Sequence, residues 1–277
     1  MNAESVPVSL SVKSLNHTPI GIFDSGIGGL PIAQKVRELL PSEDIIYVAD
    51  TAFAPYGEKS EAEILQRAIQ VVEFLLSKNV KAIVVACNTA TMVAIKTLRE
   101  RYDVPFIGVE PGVKPAAIQT KTGVIGVLAT EKTLSSHAFD ALAKRVAGNV
   151  QMEIQPSPKL VHLVENLQLD FDQAHKAVRE YVEPLMIKGA DTIILGCTHF
   201  AHLTPVIEQV AGSPVTVIST ELAVAKEVQR RLDLEKLLCM ATLPAMNRFY
   251  TSGDLDLYRK QIAHLWQDVE TVGIYQF

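Results

Sequence analysis

An internal repeat constrains the fold of this 277-residue chain more than any other feature. Two stretches about 110 residues apart share a short apolar run that ends in a cysteine, Cys87 in the first copy and Cys197 in the second. Two further stretches share a run that ends in a hydroxyl residue, Ser25 and Thr130. The matching segments are residues 78–89 with 188–199 and residues 21–25 with 126–130. Because a repeated pattern indicates a repeated structural unit, we predict two similar halves that face each other across a central cleft.

Short apolar runs alternate with stretches of helical periodicity along the chain. The predicted strands are residues 20–24, 45–50, 82–86, 106–109, 124–129, 150–154, 192–196, 215–218, 248–251 and 271–275. The clearest predicted helices are residues 60–78, 172–188, 221–231 and 254–268. This alternation predicts an α/β fold with largely parallel sheets. Nearly continuous apolar strands are typical of sheets that helices cover on both faces.

The repeat divides the chain into two predicted domains. The first comprises residues 19–113 together with residues 220–277, because the strand predicted at 248–251 has no counterpart in the second copy. The second comprises residues 114–219. Residues 1–18 are predicted to form a flexible polar extension, with ordered structure starting near Pro19.

Charge and hydrophobicity exclude several classes of protein. A net charge of −5 argues against nucleic acid or an anionic membrane as the main partner, since both bind basic surfaces. No apolar run approaches the roughly 20 residues of a membrane-spanning helix, and residues 1–18 lack the pattern of a signal peptide. We therefore expect a cytoplasmic protein, in which Cys87, Cys197 and Cys239 are free thiols.

Both repeat cysteines lie where a buried strand is predicted to end and a helix to begin. Ligands of parallel α/β sheets bind at the carboxyl ends of the strands, and the N–H groups at a helix N-terminus favour an anion such as a thiolate. A single cysteine in that place is more often a small buried apolar residue, but two at equivalent positions indicate a site. A zinc site is disfavoured because no grouped Cys/His spacing is present. Cys239 has no polar flanking residues and is interpreted as structural.

Two loops at predicted strand ends carry residues suited to an anionic ligand. The glycines of residues 24–29, Asp-Ser-Gly-Ile-Gly-Gly, let backbone N–H groups approach a carboxylate or a phosphate. The spacing of these glycines does not match the dinucleotide motif, and the phosphate-loop lysine is absent, which argues against a nucleotide. The second loop, residues 50–60, ends in a predicted capping box formed by Ser60 and Glu63.

A pair of thiols across a cleft is suited to proton transfer at a carbon atom. One base removes a proton from one face of an amino-acid α-carbon, and an acid opposite returns a proton to the other face. Fixed N–H donors stabilise the charge that develops on the carboxylate. His199, two residues after Cys197, is a candidate imidazole partner for that thiol.

Six short motifs support a resemblance to a known family. They are residues 23–29 (Phe-Asp-Ser-Gly-Ile-Gly-Gly), Ala52 with 55–60 (Pro-Tyr-Gly-Glu-Lys-Ser), 86–90 (Ala-Cys-Asn-Thr-Ala), 110–112 (Glu-Pro-Gly), 129–133 (Ala-Thr-Glu-Lys-Thr) and 196–199 (Gly-Cys-Thr-His). From about Pro19 to its C-terminus, the chain resembles the glutamate racemases of the aspartate/glutamate racemase superfamily.

The resemblance implies a role for each site residue. Cys87 is implied to abstract the α-proton of D-glutamate with the help of Asp24, and Cys197 that of L-glutamate with the help of His199 and Glu165. The substrate pocket is implied to be lined by both cysteines and by Asp24, Ser25, Pro55, Tyr56, Gly57, Asn88, Thr89, Thr130, Thr133, Thr198 and His199. The resemblance also implies no metal, no pyridoxal phosphate or other cofactor, and a supply of D-glutamate for peptidoglycan, while a homodimer is left open.

Some positions depart from the family pattern, and other functions stay open. Phe53, the pair Phe200-Ala201 and residues 218–221 differ from the usual residues, although none is a catalytic position. A racemase of aspartate or another acidic amino acid is the first alternative. A non-catalytic ligand-binding module has no need of paired cysteines, and a hydrolase that uses Cys197 with His199 leaves Cys87 without a role.

Overall fold

The computed structural model describes residues 18–146, 148, 150–240, 245–266 and 272–277. The strands in this part of the chain are β1 (Ile20–Asp24), β2 (Ile45–Ala49), β3 (Ala82–Val85), β4 (Phe106–Gly108), β5 (Val124–Ala129), β6 (Gln151–Pro156), β7 (Thr192–Leu195), β8 (Thr216–Ile218), β9 (Asn247–Thr251) and β10 (Val272–Gln276). The α-helices are α1 (Leu30–Leu39), α2 (Glu61–Ser77), α3 (Asn88–Arg101), α4 (Val113–Gln119), α5 (Glu131–Leu134), α6 (His137–Val146), α7 (Pro158–Glu165), α8 (Phe171–Ile187), α9 (Thr204–Ala211), α10 (Glu221–Leu234) and α11 (Leu255–Leu265). Short 3-10 segments span Thr51–Phe53, Tyr56–Glu58 and Thr198–Leu203. None of the helices described is long and apolar enough to cross a membrane.

Two parallel sheets confirm the predicted α/β fold. The first has the strand order β10-β9-β2-β1-β3-β4 and the second the order β6-β5-β7-β8. In the first sheet β1 pairs in parallel with β2 and β3, and in the second β5 pairs in parallel with β6 and β7. The carboxyl ends of neighbouring parallel strands meet at one edge of a sheet. The residues that follow β1 and β3 therefore lie close together, as do those that follow β5 and β7.

The predicted elements differ from the observed ones mainly at their ends. The strand bounds agree to within two residues. The expectation of strands covered on both faces is wrong for β6, in which Ile154 is 44% exposed, because β6 is an edge strand of the second sheet. Parts of three predicted segments lie outside the described residues. They are residue 271 at the start of the last predicted strand, residues 267 and 268 of the last predicted helix, and residues 1–17 of the predicted extension.

A capping box fixes the start of α2 as predicted. The Ser60 hydroxyl accepts from the backbone N–H of Glu63 at 3.2 Å, and the Glu63 carboxylate accepts from the backbone N–H of Ser60 at 2.9 Å. These bonds satisfy two of the N–H groups that the first turn of a helix leaves unpaired. Residues 51–60 are thereby tied to α2, whose buried face includes Ile64, Ala68 and Val72.

The two halves share one buried apolar cluster. Ile22 of β1 and Ile262 of α11 belong to the same cluster as Leu128 of β5, Leu160 of α7 and Phe200. Each of these side chains is at most 3% exposed. This shared cluster packs the two sheets against each other, and the candidate site lies between their carboxyl edges.

Candidate active site

Cys87 follows β3 after one intervening residue, Ala86, and forms the N-cap of α3. Its Sγ accepts a hydrogen bond from the backbone N–H of Ala90 at 3.4 Å and donates to Oγ of Ser25 at 3.9 Å. Burial raises the pKa of the Cys87 thiol well above its usual value, and the charge of Asp24 raises it further, while the Ala90 N–H opposes the shift. The charge of Cys197 also contributes to this rise in pKa, so the two thiols interact electrostatically.

Asp24 ends β1 and is fully buried. Its Oδ1 accepts from the backbone N–H of Ser25 at 2.7 Å, and its Oδ2 from that of Gly29 at 2.8 Å. The Ser25 hydroxyl also donates to Oδ1 at 3.3 Å, which completes a hydrogen-bonded path from Cys87 through Ser25 to Asp24. Burial raises the pKa of Asp24, whereas the positive charge of His199 lowers it. A carboxylate on this path is placed to take up or return the proton of Cys87.

Cys197 follows β7 at the equivalent position of the second half. Its Sγ lies 3.7 Å from Nδ1 of His199, and Nε2 of His199 lies 2.6 Å from Oε1 of Glu165. Burial alone lowers the pKa of His199, but its hydrogen bonds with Cys197 and Glu165 outweigh burial and raise the pKa well above the usual value. The imidazole ring of His199 therefore lies between the second thiol and a carboxylate, and both neighbours favour its charged form.

The two cysteines begin different kinds of helix, which corrects the prediction of identical settings. Cys197 precedes the 3-10 segment Thr198–Leu203, and α9 begins only at Thr204. The side chain of Cys197 accepts no capping hydrogen bond, whereas that of Cys87 accepts the Ala90 N–H. A helix N-terminus therefore supports the first thiol, and an imidazole supports the second.

The glycine loop, residues 24–29, packs against the His199–Glu165 pair. A Cβ atom added to Gly26 would lie 1.8 Å from Oε1 of Glu165, and one added to Gly28 would lie 2.3 Å from Nδ1 of His199. No Cβ atom fits at such distances. Any other residue at either position would therefore displace the His199–Glu165 pair or the loop itself.

Three N–H groups of the glycine loop bind carboxylates, as this loop type predicts, but these carboxylates belong to the protein itself. The donors are Ser25, Ile27 and Gly29, and the acceptors are Asp24 and, for Ile27 at 2.9 Å, Glu165. The loop thus fixes Asp24, which reaches Cys87 through Ser25, and Glu165, which reaches Cys197 through His199. Its bond to Glu165 also joins the first half of the chain to the second.

Three threonine hydroxyls from both halves meet at the first turn of α3. Oγ1 of Thr89 lies 3.0 Å from that of Thr130 and 3.1 Å from that of Thr133, and the last two lie 3.0 Å apart. A Cβ atom added to Gly57 would lie 3.0 Å from Cβ of Thr130, so the loop at residues 51–60 reaches the same point. Each hydroxyl can donate one hydrogen bond and accept two, which makes this group suitable for a carboxylate.

Tyr56 is buried, and its hydroxyl is bound within the protein. It donates to Oδ2 of Asp50 at 2.6 Å, and Arg67 donates to both oxygens of the same carboxylate at 2.9 and 2.6 Å. Burial and the charge of Asp50 raise the pKa of Tyr56, so the hydroxyl keeps its proton and stays a donor. Tyr56 therefore anchors the loop at residues 51–60 through Asp50.

The other predicted pocket residues border the same region. Nδ2 of Asn88 donates to the carbonyl of Val109 at 3.3 Å, and Thr198 is buried next to Cys197. Pro55 lines a cavity of about 310 Å³ that also borders Glu165. A separate cavity of about 980 Å³ is lined by neither cysteine. Among the described residues, no group of three or more His, Cys, Asp or Glu side chains is arranged to hold a metal ion.

Two residues that the sequence did not single out also hold the site. Nε2 of His202 donates to the carbonyl of Ile27 at 3.2 Å, and burial lowers the pKa of His202 to about 4. Nε2 of Gln261 donates to the backbone carbonyl of Glu165 at 2.7 Å. The spacing of three residues from His199 could have indicated His202, because residues i and i+3 share a face of a 3-10 helix. No local signal could have indicated Gln261, which lies 96 residues from its partner.

Known proteins are similar to this chain over nearly its whole length. The model of the family described as Asp/Glu/Hydantoin racemase matches residues 31–228. The glutamate racemase of Methylococcus capsulatus is 45% identical over 257 residues, which are 93% of this chain and 95% of that protein. The structure of Escherichia coli glutamate racemase with L-glutamate and the activator UDP-MurNAc-ala has a TM-score of 0.81 at 31% identity, covering 94% of this chain and 98% of that one. The structure of Francisella tularensis glutamate racemase with D-glutamate has a TM-score of 0.80 at 31% identity, covering 94% and 97%.

Proposed function

This chain belongs to the Asp/Glu/Hydantoin racemase family and is an isomerase of amino acids, and we propose that it interconverts L- and D-glutamate by proton transfer between two cysteines. One observation carries the proposal: two thiols follow equivalent central strands, each with its own proton-handling partners. Cys87 is linked to Asp24 through Ser25, and Cys197 is next to His199. Such a pair can serve the two faces of one α-carbon.

The choice of glutamate is supported by the relatives. The similar curated protein from Methylococcus capsulatus is a glutamate racemase, and two similar structures hold D-glutamate and L-glutamate. The three clustered hydroxyls of Thr89, Thr130 and Thr133 offer hydrogen-bond donors for a carboxylate of such a substrate. We propose that these threonines, with Ser25, Pro55, Tyr56, Gly57, Asn88 and Thr198, line its pocket.

The proposed reaction is balanced within the two thiols and the substrate. When L-glutamate binds, the thiolate of Cys197 takes the α-proton, so a C–H bond breaks and an S–H bond forms. The electron pair stays on the substrate, delocalised into its carboxylate, until the thiol of Cys87 donates its proton to the opposite face. The raised pKa of Cys87 keeps it in the acid form that this step needs, and the imidazolium of His199 supplies the counter-charge for Cys197.

The two halves are proposed to act as separate domains around this reaction. They comprise residues 19–113 with 220–277 and residues 114–219. The substrate would enter when they separate, because both cysteines are at most 7% exposed. We further propose that the reaction needs no pyridoxal phosphate or metal, and that the cytoplasmic product, D-glutamate, supplies peptidoglycan synthesis.

The experiment that tests this function measures the optical rotation of L-glutamate, D-glutamate, L-aspartate and D-aspartate during incubation with the purified protein. We expect both glutamate solutions to lose rotation at comparable rates, and both aspartate solutions to keep theirs. A chelator or added pyridoxal phosphate should leave the rate unchanged. Faster racemisation of aspartate would reassign the substrate, and no racemisation of any acidic amino acid would refute the proposal.

A further inference from the structure

Glu165 is held in place from the other half of the molecule at two points. Its side-chain Oε1 accepts from the backbone N–H of Ile27, and its backbone carbonyl accepts from Nε2 of Gln261 at 2.7 Å. Gln261 lies on α11 and is 2% exposed. Glu165 is the last residue of α7, where backbone carbonyls have no partner within the helix. Gln261 therefore supplies a partner that α7 itself cannot provide.

We propose that Gln261 is a positioning residue for the proton transfer at Cys197. This inference rests on the proposed racemase function. By holding the C-terminal end of α7, Gln261 keeps the carboxylate of Glu165 in line with Nε2 of His199, and His199 in turn orients its Nδ1 toward Sγ of Cys197. The proposal assigns to the C-terminal helix α11 a role in one of the two half-reactions.

The geometry leaves little tolerance along this chain of contacts. The bond between Glu165 and His199 is 2.6 Å long, and the ring is 3.7 Å from the thiol. On the opposite side, Gly26 approaches Glu165 so closely that even a methyl group would not fit. A shift of the helix end would therefore be transmitted to the imidazole ring.

The carboxylate that serves the other half-reaction makes no hydrogen bond to Glu165 or Gln261 among the described residues. The carboxylate of Asp24 is held by N–H groups of its own loop, those of Ser25 and Gly29. Loss of the Gln261 bond should therefore raise the barrier for transfer between the substrate and Cys197 and leave the transfer at Cys87 nearly unchanged. A role in general stability would affect both transfers equally.

The chain offers a closely matched control. Nε2 of Gln34 donates to the backbone carbonyl of Leu265, also at 2.7 Å, and Leu265 is the last residue of α11. Gln34 thus makes the same kind of bond to the end of a helix, α11, that carries neither Glu165 nor a cysteine. Gln261→Met and Gln34→Met each replace the amide with an apolar side chain of similar length.

The test measures primary deuterium isotope effects on kcat/KM with α-deuterated L- and D-glutamate. In Gln261→Met, kcat/KM should fall about tenfold in both directions, because the equilibrium constant between enantiomers is fixed and a misplaced catalytic group slows transfer. The isotope effect should rise with L-glutamate, whose deuterium is taken by Cys197. It should fall with D-glutamate, whose deuterium is taken by Cys87 in a step that no longer limits the rate. Gln34→Met should leave both isotope effects at the wild-type values.

Isotope effects are independent of the fraction of folded enzyme, so partial unfolding does not obscure the result. If Gln261→Met yields no folded protein, Gln261→Asn provides the same test, because its amide is one methylene too short to reach the Glu165 carbonyl. Wild-type isotope effects in the Gln261 variant, whatever its activity, would overturn this inference and leave the racemase function intact. Absence of racemisation by the wild-type enzyme would overturn both.

Discussion

Substitution of Gly26 by alanine should disable the His199–Glu165 pair. The added Cβ atom would lie 1.8 Å from Oε1 of Glu165 and 2.6 Å from its Cδ. Real Cβ contacts essentially never fall below 3.0 Å, so the carboxylate must move by about 1.2 Å or the loop must move away from it. Either movement breaks the 2.9 Å bond from Ile27 or the 2.6 Å bond with His199.

The size of the effect follows from that displacement. A misplacement of about 1 Å in a catalytic arrangement can cost about 100-fold in rate, which corresponds to about 2.7 kcal/mol in the activation free energy. We therefore expect Gly26→Ala to lower kcat/KM by about 100-fold in both directions. The fold should persist, because the clash is with one side chain at the site rather than with the core.

The assay is steady-state racemisation of L- and D-glutamate, with circular dichroism as the check on folding. Gly21→Ala is a suitable control, because its Cβ would meet only side-chain methyl groups of Leu75 and Val80, at 3.2 Å. We expect this control to keep most of its activity. A folded Gly26→Ala enzyme with wild-type kinetics would refute the close packing of the glycine loop against Glu165.

Three further predictions concern the thiols and their helpers. Cys87→Ser and Cys197→Ser should each abolish racemisation in a folded protein, because a serine hydroxyl is a far weaker base than a thiolate near neutral pH. Near wild-type turnover in either variant would show that the substituted cysteine is not a catalytic base. Asp24→Asn should raise the primary isotope effect with α-deuterated D-glutamate, and His199→Asn that with L-glutamate, whereas equal changes for both enantiomers would contradict separate helpers. The pKa of His199 is raised above its usual value of 6.5 on folding, so its stabilising contribution is present below about pH 6.5 and is lost as the pH rises through the folded-state pKa. The difference in unfolding free energy between wild type and His199→Asn, measured by urea denaturation, should therefore shrink with rising pH, and a constant difference would contradict the shift.

The strand ends and the thiols were predictable because their signals are local. An apolar run that stops at a cysteine indicates a buried strand, and two such runs at equal spacing indicate a repeat. In the first sheet β1 and β3 are neighbours, so the strand order brings Asp24 and Cys87 close together. The capping box at Ser60 is also a local pattern, and it formed as predicted.

The remaining features depend on contacts between distant segments. Glu165 has no distinctive local pattern and was indicated only by the family resemblance, while its partner Gln261 lies 96 residues away. The exposure of β6 follows from its position at the edge of a sheet, which its own residues do not reveal. The 3-10 turn after Cys197 is followed by an α-helix with a proline in its first turn, and that proline indicates a helix start later than the one we predicted.

In the proposed mechanism, two different cysteines serve the two faces of the α-carbon. This assignment is tested by a brief incubation of protiated L-glutamate with the enzyme in heavy water, stopped after a few per cent conversion, with mass analysis of the separated enantiomers. Two-base transfer predicts that the D-glutamate formed carries deuterium, donated by Cys87, while the remaining L-glutamate is still protiated. The reverse pattern should appear from D-glutamate. D-glutamate that retains the original protium would contradict the account, because a single base would then carry the proton from one face to the other.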